Sequence, residues 1–166
     1  MTPKRTAGIL SSVMILAVVI LGAIDGLVWM PLAIAPGYSL SEIHDAMEAR
    51  GEGALSVPMM VVWAVFWGLA AVIPVALVSI QRPELGRMSA RTVWAIGLMI
   101  GSAAIFFQWW AAFSMGMSVS DTLPFPGRQS DFWTWYAIAG FGMFMTAIAF
   151  LVVRKRQAEP HPAGDS

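Results

Sequence analysis

The sequence predicts an all-α membrane protein: four transmembrane helices in two hairpins, with a short amphipathic helix in the first outer loop. Three observations carry that expectation. Four apolar runs, Ala7 to Ala35, Ala54 to Ile80, Thr92 to Ser120 and Phe132 to Val153, fill most of the 166 residues. Asp25 is the one charged residue inside any of them. The basic residues between the runs are strongly asymmetric. A hydrocarbon core about 30 Å thick needs about 20 helical residues to cross it, and each run is long enough. The expected spans are 8–35, 55–80, 92–117 and 132–153, within a single domain over 1–157.

Lys4 and Arg5 precede the first span. With the apolar stretch and the Ala33-Ile34-Ala35 end they invite comparison with a secretory signal, but the stretch is roughly twice the length of a signal core. Pro36 would also follow the cut directly. An uncleaved anchor is expected. In the next loop, Ser39 and Glu42 have the spacing of a capping box, and Leu40, Ile43 and Met47 recur at helical intervals opposite Glu42, Asp45 and Glu48. That pattern predicts the short helix, lying at the membrane surface.

The second span ends in a tight connection, Gln81 to Arg91, that holds Pro83 and Gly86 and is too short to fold alone. After the third span, Asp121 to Gln129 carries Pro124, Pro126 and Gly127 and is expected to be irregular, with Ser130 or Asp131 capping the fourth span. Residues 158–166 are polar and proline-containing and read as a disordered tail.

Orientation follows from the ten Lys and Arg residues. Lys4, Arg5, Arg82, Arg87, Arg91, Arg154, Lys155 and Arg156 fall on one side, while Arg50 and Arg128 fall on the other. The positive-inside bias therefore predicts both termini in the cytoplasm of a bacterial cytoplasmic membrane. Net charge is formally zero, so these residues read as topology signals and no nucleic-acid partner is expected.

Several chemistries are absent from the chain. It has no cysteine, which excludes thiol catalysis, a disulfide relay and thiolate metal sites. The two histidines, His44 and His161, are expected on opposite sides of the membrane, so they do not pair to hold a haem. There is no glycine-rich phosphate loop, zinc helix or nucleophile elbow. No cofactor is expected. The acids Glu42, Asp45, Glu48, Asp121 and Asp131 would serve an enzyme only through a metal or an unidentified base.

Asp25 is the first candidate site residue. An acid inside a span costs roughly 3 kcal/mol on insertion scales, so it must face protein or water and find a partner. Counting inward from Ala33 and from Met117, at about 1.5 Å per residue, brings Asp25 and Gln108 to nearly one level, about 12 Å below the outer boundary. Trp63 reaches the same level from Leu55. A hydrogen bond from the Gln108 amide or a Trp indole to Asp25 is expected. Two roles follow: a proton or cation site, or a buried acid joining the first span to the third.

Of the eight tryptophans, most belong near a membrane boundary. Trp63 and Trp67 lie deeper and share one helix face. With Phe66, Phe106 and Phe107 they would line an outward-facing pocket for an apolar or lipid-like ligand, or fill space between helices. Met115, Met117 and His44 form a conceivable copper(I) set, since thioethers are soft ligands; methionine filling irregular gaps is the competing reading. Gly22-x-x-x-Gly26 and Gly97-x-x-x-Gly101 each clear a stripe for close helix approach, and Gly140 and Gly142 offer the same on the fourth span.

The function expected from these features is that of an accessory, assembly or sensor-like interaction subunit, in contact with membrane lipid and with a membrane-protein partner or a second copy of itself. The alternative is a small ion- or proton-coupled transporter or channel that uses Asp25.

Overall fold

Three helices of the computed structural model are long and apolar enough to cross a membrane: α1 (Pro3–Ile34), α3 (Gly53–Ser79) and α4 (Ala90–Thr122). A short helix, α2 (Leu40–Ala49), lies between the first two. The structure describes residues 2–80 and 88–123, together with 140–142, 144, 145 and 148, and no strand occurs among them. Those last six residues are helical and belong to the fourth expected span, the rest of which lies outside the described residues. Most of the middle connection, most of the loop after α4, the Ser130 or Asp131 cap and the tail also lie outside them.

Helix α1 begins with Pro3 in its first turn, where a missing N–H costs no helical hydrogen bond. Its buried stripe runs through Gly8, Ser11, Ser12, Ile15, Val19, Gly22, Asp25 and Gly26 at α-helical spacing. The helix then widens into a π-helical turn over Asp25–Trp29, where the Met30 N–H donates to the Asp25 carbonyl. Pro31 follows and has no N–H to hold the tighter ladder, a local reason for the widening. The turn re-phases the helix. An uninterrupted α-helix would bring Trp29 and Ala33 round to the stripe; instead Trp29 is 48 % exposed while Met30 and Pro31 are buried.

The turn after α1 uses Gly37 at φ 99°, a backbone conformation that side chains disfavour. Helix α2 opens with the capping box: the Ser39 hydroxyl accepts from the Glu42 N–H at 3.3 Å, and the Ser39 N–H donates to the Glu42 carboxylate at 2.7 Å. Hydrogen bonds from the Ser39 amide and hydroxyl hold that carboxyl below its usual range. Ile43 and Met47 are buried beneath the helix, against Ala35 of the preceding turn and Met115, Val119 and Leu123 around the end of α4. Gly51, at φ 75°, turns the chain into α3.

Helix α3 is interrupted at Ala71 and Val72, just before Pro74. The proline removes a donor there, and the Val72 N–H closes instead on the Leu69 carbonyl, three residues back, at 3.1 Å. Ser89 caps α4 by accepting from the Thr92 N–H at 3.2 Å. Helix α4 touches α1, α2 and α3 and forms the spine of the fold. By contrast, only 17 % of the most apolar stretch of α3 is buried, against 39 % in α1 and in α4, which makes α3 the most peripheral of the three.

Missing side chains set the helix contacts. A Cβ on Gly8 would lie 2.7 Å from Val78, one on Gly22 2.7 Å from the Trp63 ring, and one on Gly26 against the Met60 methyl. Rising numbers on α1 meet falling numbers on α3, so these helices run antiparallel. Along α4, Gly97 faces Ser11, Gly101 lies near Ile15 and Gly116 near Met30, so α4 runs parallel to α1. Gly101 also receives Met145, and Gly142 meets Ile105. Gly140 has nothing within 4 Å.

Candidate functional site

The central polar feature is built where α1 changes from α to π geometry. Asp25 is 2 % exposed and Gln108 of α4 is 3 % exposed, and the Gln108 amide donates to the Asp25 carboxylate at 3.2 Å. No Lys, Arg or His among the described residues forms an ion pair with this acid. The adjoining wall is Trp63, 5 % exposed, whose indole N–H donates to the Ala104 carbonyl at 3.0 Å. Ala104 is one turn before Gln108 on α4, so both hydrogen bonds cross to consecutive turns of one helix. Gly22 makes this possible. A Cβ there would lie 2.7 Å from the Trp63 ring and 3.1 Å from Gln108 Cγ.

Asp25, Gln108 and Trp63 therefore meet in one region, but the indole binds backbone and the amide binds the acid. Trp67 lies apart. Its ring stacks on Phe107 at 5.9 Å and meets the edge of Phe66 at 5.1 Å. Phe66, Phe106 and Phe107 are 61 %, 63 % and 50 % exposed. Phe66, Phe106 and Phe107 form an exposed seam on α3 and α4, Trp67 links it to the core, and Trp63 fills the inside.

The methionine and histidine candidates line different surfaces. Met115 is fully buried beneath α2. Met117 is 47 % exposed and lines a small cleft of about 140 Å³ with Met30, Ile34 and Gly116. His44 lines a separate open cleft of about 460 Å³ between α2 and the start of α3. No three His, Cys, Asp or Glu side chains among the described residues are grouped to hold a metal ion.

Further along α1, Ser11 and Ser12 are buried and their hydroxyls have no hydrogen-bond partner among the described residues. Ile15 and Val19, 0 % and 6 % exposed, separate them from Asp25 along the buried stripe. At about 1.5 Å per residue the distance from Ser12 to Asp25 is about 20 Å, and the intervening stripe is apolar.

Three contributors to the site have no marker in the sequence: the Ala104 carbonyl, the Met60 side chain against Gly26, and the π turn. The first is a backbone group that any residue supplies. The only local hint of the third is Pro31 six residues after the acid. No family model matches the chain, and comparison with curated proteins and with solved structures gives no match.

Proposed function

We propose that this chain is an integral membrane protein of four transmembrane helices that works by interaction, as an accessory, assembly or sensor-like subunit. The observation that carries the reading is the closed Asp25–Gln108 pair. The acid already has a protein donor, Trp63 occupies the neighbouring space, and the stripe toward Ser12 is apolar. A conduction path would need polar groups to continue through the bundle; a helix-joining pair needs only each other.

In this reading the fourth span, 132–153, completes a bundle of two hairpins, the termini lie in the cytoplasm, and α2 rests on the outer surface. The eight-to-two split of basic residues supports that orientation. Cysteines introduced at Ser41 and Gln129 then react with a membrane-impermeant thiol reagent in intact cells, while one at Ser89 does not. Labelling at Ser89 alone reverses the orientation. Partners are membrane lipid and either another membrane protein or a second copy. Mild-detergent purification followed by mass analysis tests this, and a lone monomer that captures no chain counts against it.

The second reading is a small ion- or proton-coupled transporter or channel, and one observation favours it. The acid sits at the start of a π turn, a deformation that is frequent at functional sites. Proton flux through liposomes containing the pure protein, lost in Asp25→Asn without loss of folded protein, would replace the interaction reading with this one.

A further inference from the structure

The open cleft between α2 and the first turns of α3 has a chemical character of its own, separate from the Asp25 region. Its volume, about 460 Å³, lies within the range of small-molecule sites, roughly 300–1,000 Å³. Met47, Ala54 and Val57 supply apolar lining, and Glu48 and His44, one helical turn apart on α2, supply the polar lining. Leu55, beside it, is 70 % exposed, so the apolar surface continues outward along α3. Such a surface fits an alkyl chain with a polar head at one end.

Charge selects the head. Glu42, Asp45 and Glu48 lie on α2, Glu52 precedes α3 and Asp121 lies near the end of α4. Arg50, the cation among the described residues of this region, donates to the Asp121 carbonyl at 2.9 Å. Arg50 is the C-cap residue of α2 and offsets the negative carbonyl end of that helix, but the five acids outnumber it. The amino end of α3 opposes that field, but Glu52 occupies its N-cap position. An anionic head would meet net repulsion, and the acids are not grouped tightly enough to coordinate a metal. The Nε2 atom of His44 is enclosed with no hydrogen-bond partner among the described residues. A polar head on a ligand would give that nitrogen the hydrogen-bond partner it lacks, given a small rotation of the ring toward the cleft.

We propose that this cleft binds an ammonium-headed amphipath, its alkyl chain on Met47, Ala54 and Val57 and its head between Glu48 and His44. The proposal goes beyond the interaction reading and does not depend on Asp25. The shared chemistry has two sources: a membrane lipid with an ethanolamine head, or a free long-chain amine.

Native mass spectrometry of the full chain in a neutral maltoside detergent tests it, with dodecylammonium and dodecyl sulfate as probes. Dodecylammonium is expected to be retained about tenfold more strongly than dodecyl sulfate, the ratio one charge-assisted hydrogen bond supplies. Glu48→Gln is expected to bring the two close to parity. Ala54→Trp, at an exposed position on the cleft wall, is expected to abolish dodecylammonium retention. Circular dichroism confirms that both variants are folded. Displacement of dodecylammonium by phosphatidylethanolamine but not by phosphatidylglycerol assigns the lipid source, and displacement by neither assigns the free amine. Equal retention of both probes by the native chain, or an ammonium preference unchanged in both variants, overturns the proposal.

Discussion

The two halves of the α1–α4 contact are joined in different ways. Near Asp25, polar atoms meet polar atoms: the Gln108 amide reaches the carboxylate, and Trp63 reaches the Ala104 carbonyl. Near Ser11 the joint is steric. Gly97 gives up its side chain so that Ser11 fits against the α4 backbone, and the serine hydroxyl has no partner among the described residues. The first joint coincides with a deformed helix and the second with a regular one. One pair of helices thus combines a chemically selective clamp with a shape-selective contact. Side chains cannot be exchanged at the first without replacing a hydrogen bond, nor at the second without changing volume.

The largest expected effect separates the regular and deformed parts of α1. Deleting Leu16 rotates the following residues by about 100° relative to those before it, which pulls one joint or the other off α4. Loss of more than about 4 kcal/mol, seen as failure to accumulate folded protein, is expected. Deleting Val28 removes the extra residue of the π turn. Met30 and Pro31 keep their inward phase in the resulting α-helix, where Pro31 still lacks a donor, so the cost is expected to be about 3 kcal/mol, less than that of the Leu16 deletion. Equal damage from the two deletions would show that the π turn is held by more than its residue count.

Next comes the steric joint. A Cβ on Gly97 meets the Ser11 Cβ, an atom fixed to its own backbone. Gly97→Ala is therefore expected to destabilise by about 2 to 3 kcal/mol in thermal or detergent unfolding. Ser11→Gly in the same chain should recover most of the loss. Gly26→Ala is the control, because its new Cβ meets the far end of Met60, a flexible side chain that swings aside. A cost there equal to that of Gly97→Ala would remove the distinction between rigid and yielding contacts.

The difference between the joints also governs what can be read from the sequence. Apolar length predicted four spans, and three of them are helices long and apolar enough to cross a membrane, while most of the fourth lies outside the described residues. The Ser39 capping box was legible because both partners are close in sequence and chemically specific. Equal depth placed Asp25 and Gln108 on one level, and the structure brings them into hydrogen-bonding distance. The π turn was not legible. Apolar residues surround α1 on nearly every face, so no polar stripe records where the helix changes phase. Trp63 carried a donor whose partner is a main-chain carbonyl, and such a partner leaves no residue-type signature. The difference between buried Trp63 and half-buried Trp67 depended on the same missing phase information.

At the polar clamp a smaller loss is expected. Asp25→Leu leaves the Gln108 amide buried without its acceptor, a cost of about 2 kcal/mol. Asp25→Asn keeps an acceptor oxygen and should cost less than about 1 kcal/mol, close to the average side-chain hydrogen bond between membrane helices. Replacing both residues by leucine should restore much of what the single change removes, since no polar group is then left unpaired. A double variant no more stable than Asp25→Leu would mean that the amide is held by something other than the acid.

The smallest expected effect tests the opposite condition at the other joint. Ser12 is 8 % exposed and its hydroxyl has no partner among the described residues, so Ser12→Ala removes a buried polar group that makes no hydrogen bond to them. Alanine also has the higher helix propensity. Together these terms predict a gain of up to about 1 kcal/mol, where truncating one member of a hydrogen-bonded pair would give a loss. Ser12 is the cleaner position for this test than Ser11, because Ser11 bears directly on Gly97 and its truncation alters packing as well as polarity. Unfolding of Ser12→Ala beside Gln108→Ala, in the same detergent, reads both signs in one experiment. A loss at Ser12 would give its hydroxyl a partner in the membrane-embedded protein, making that half of the interface a second polar joint.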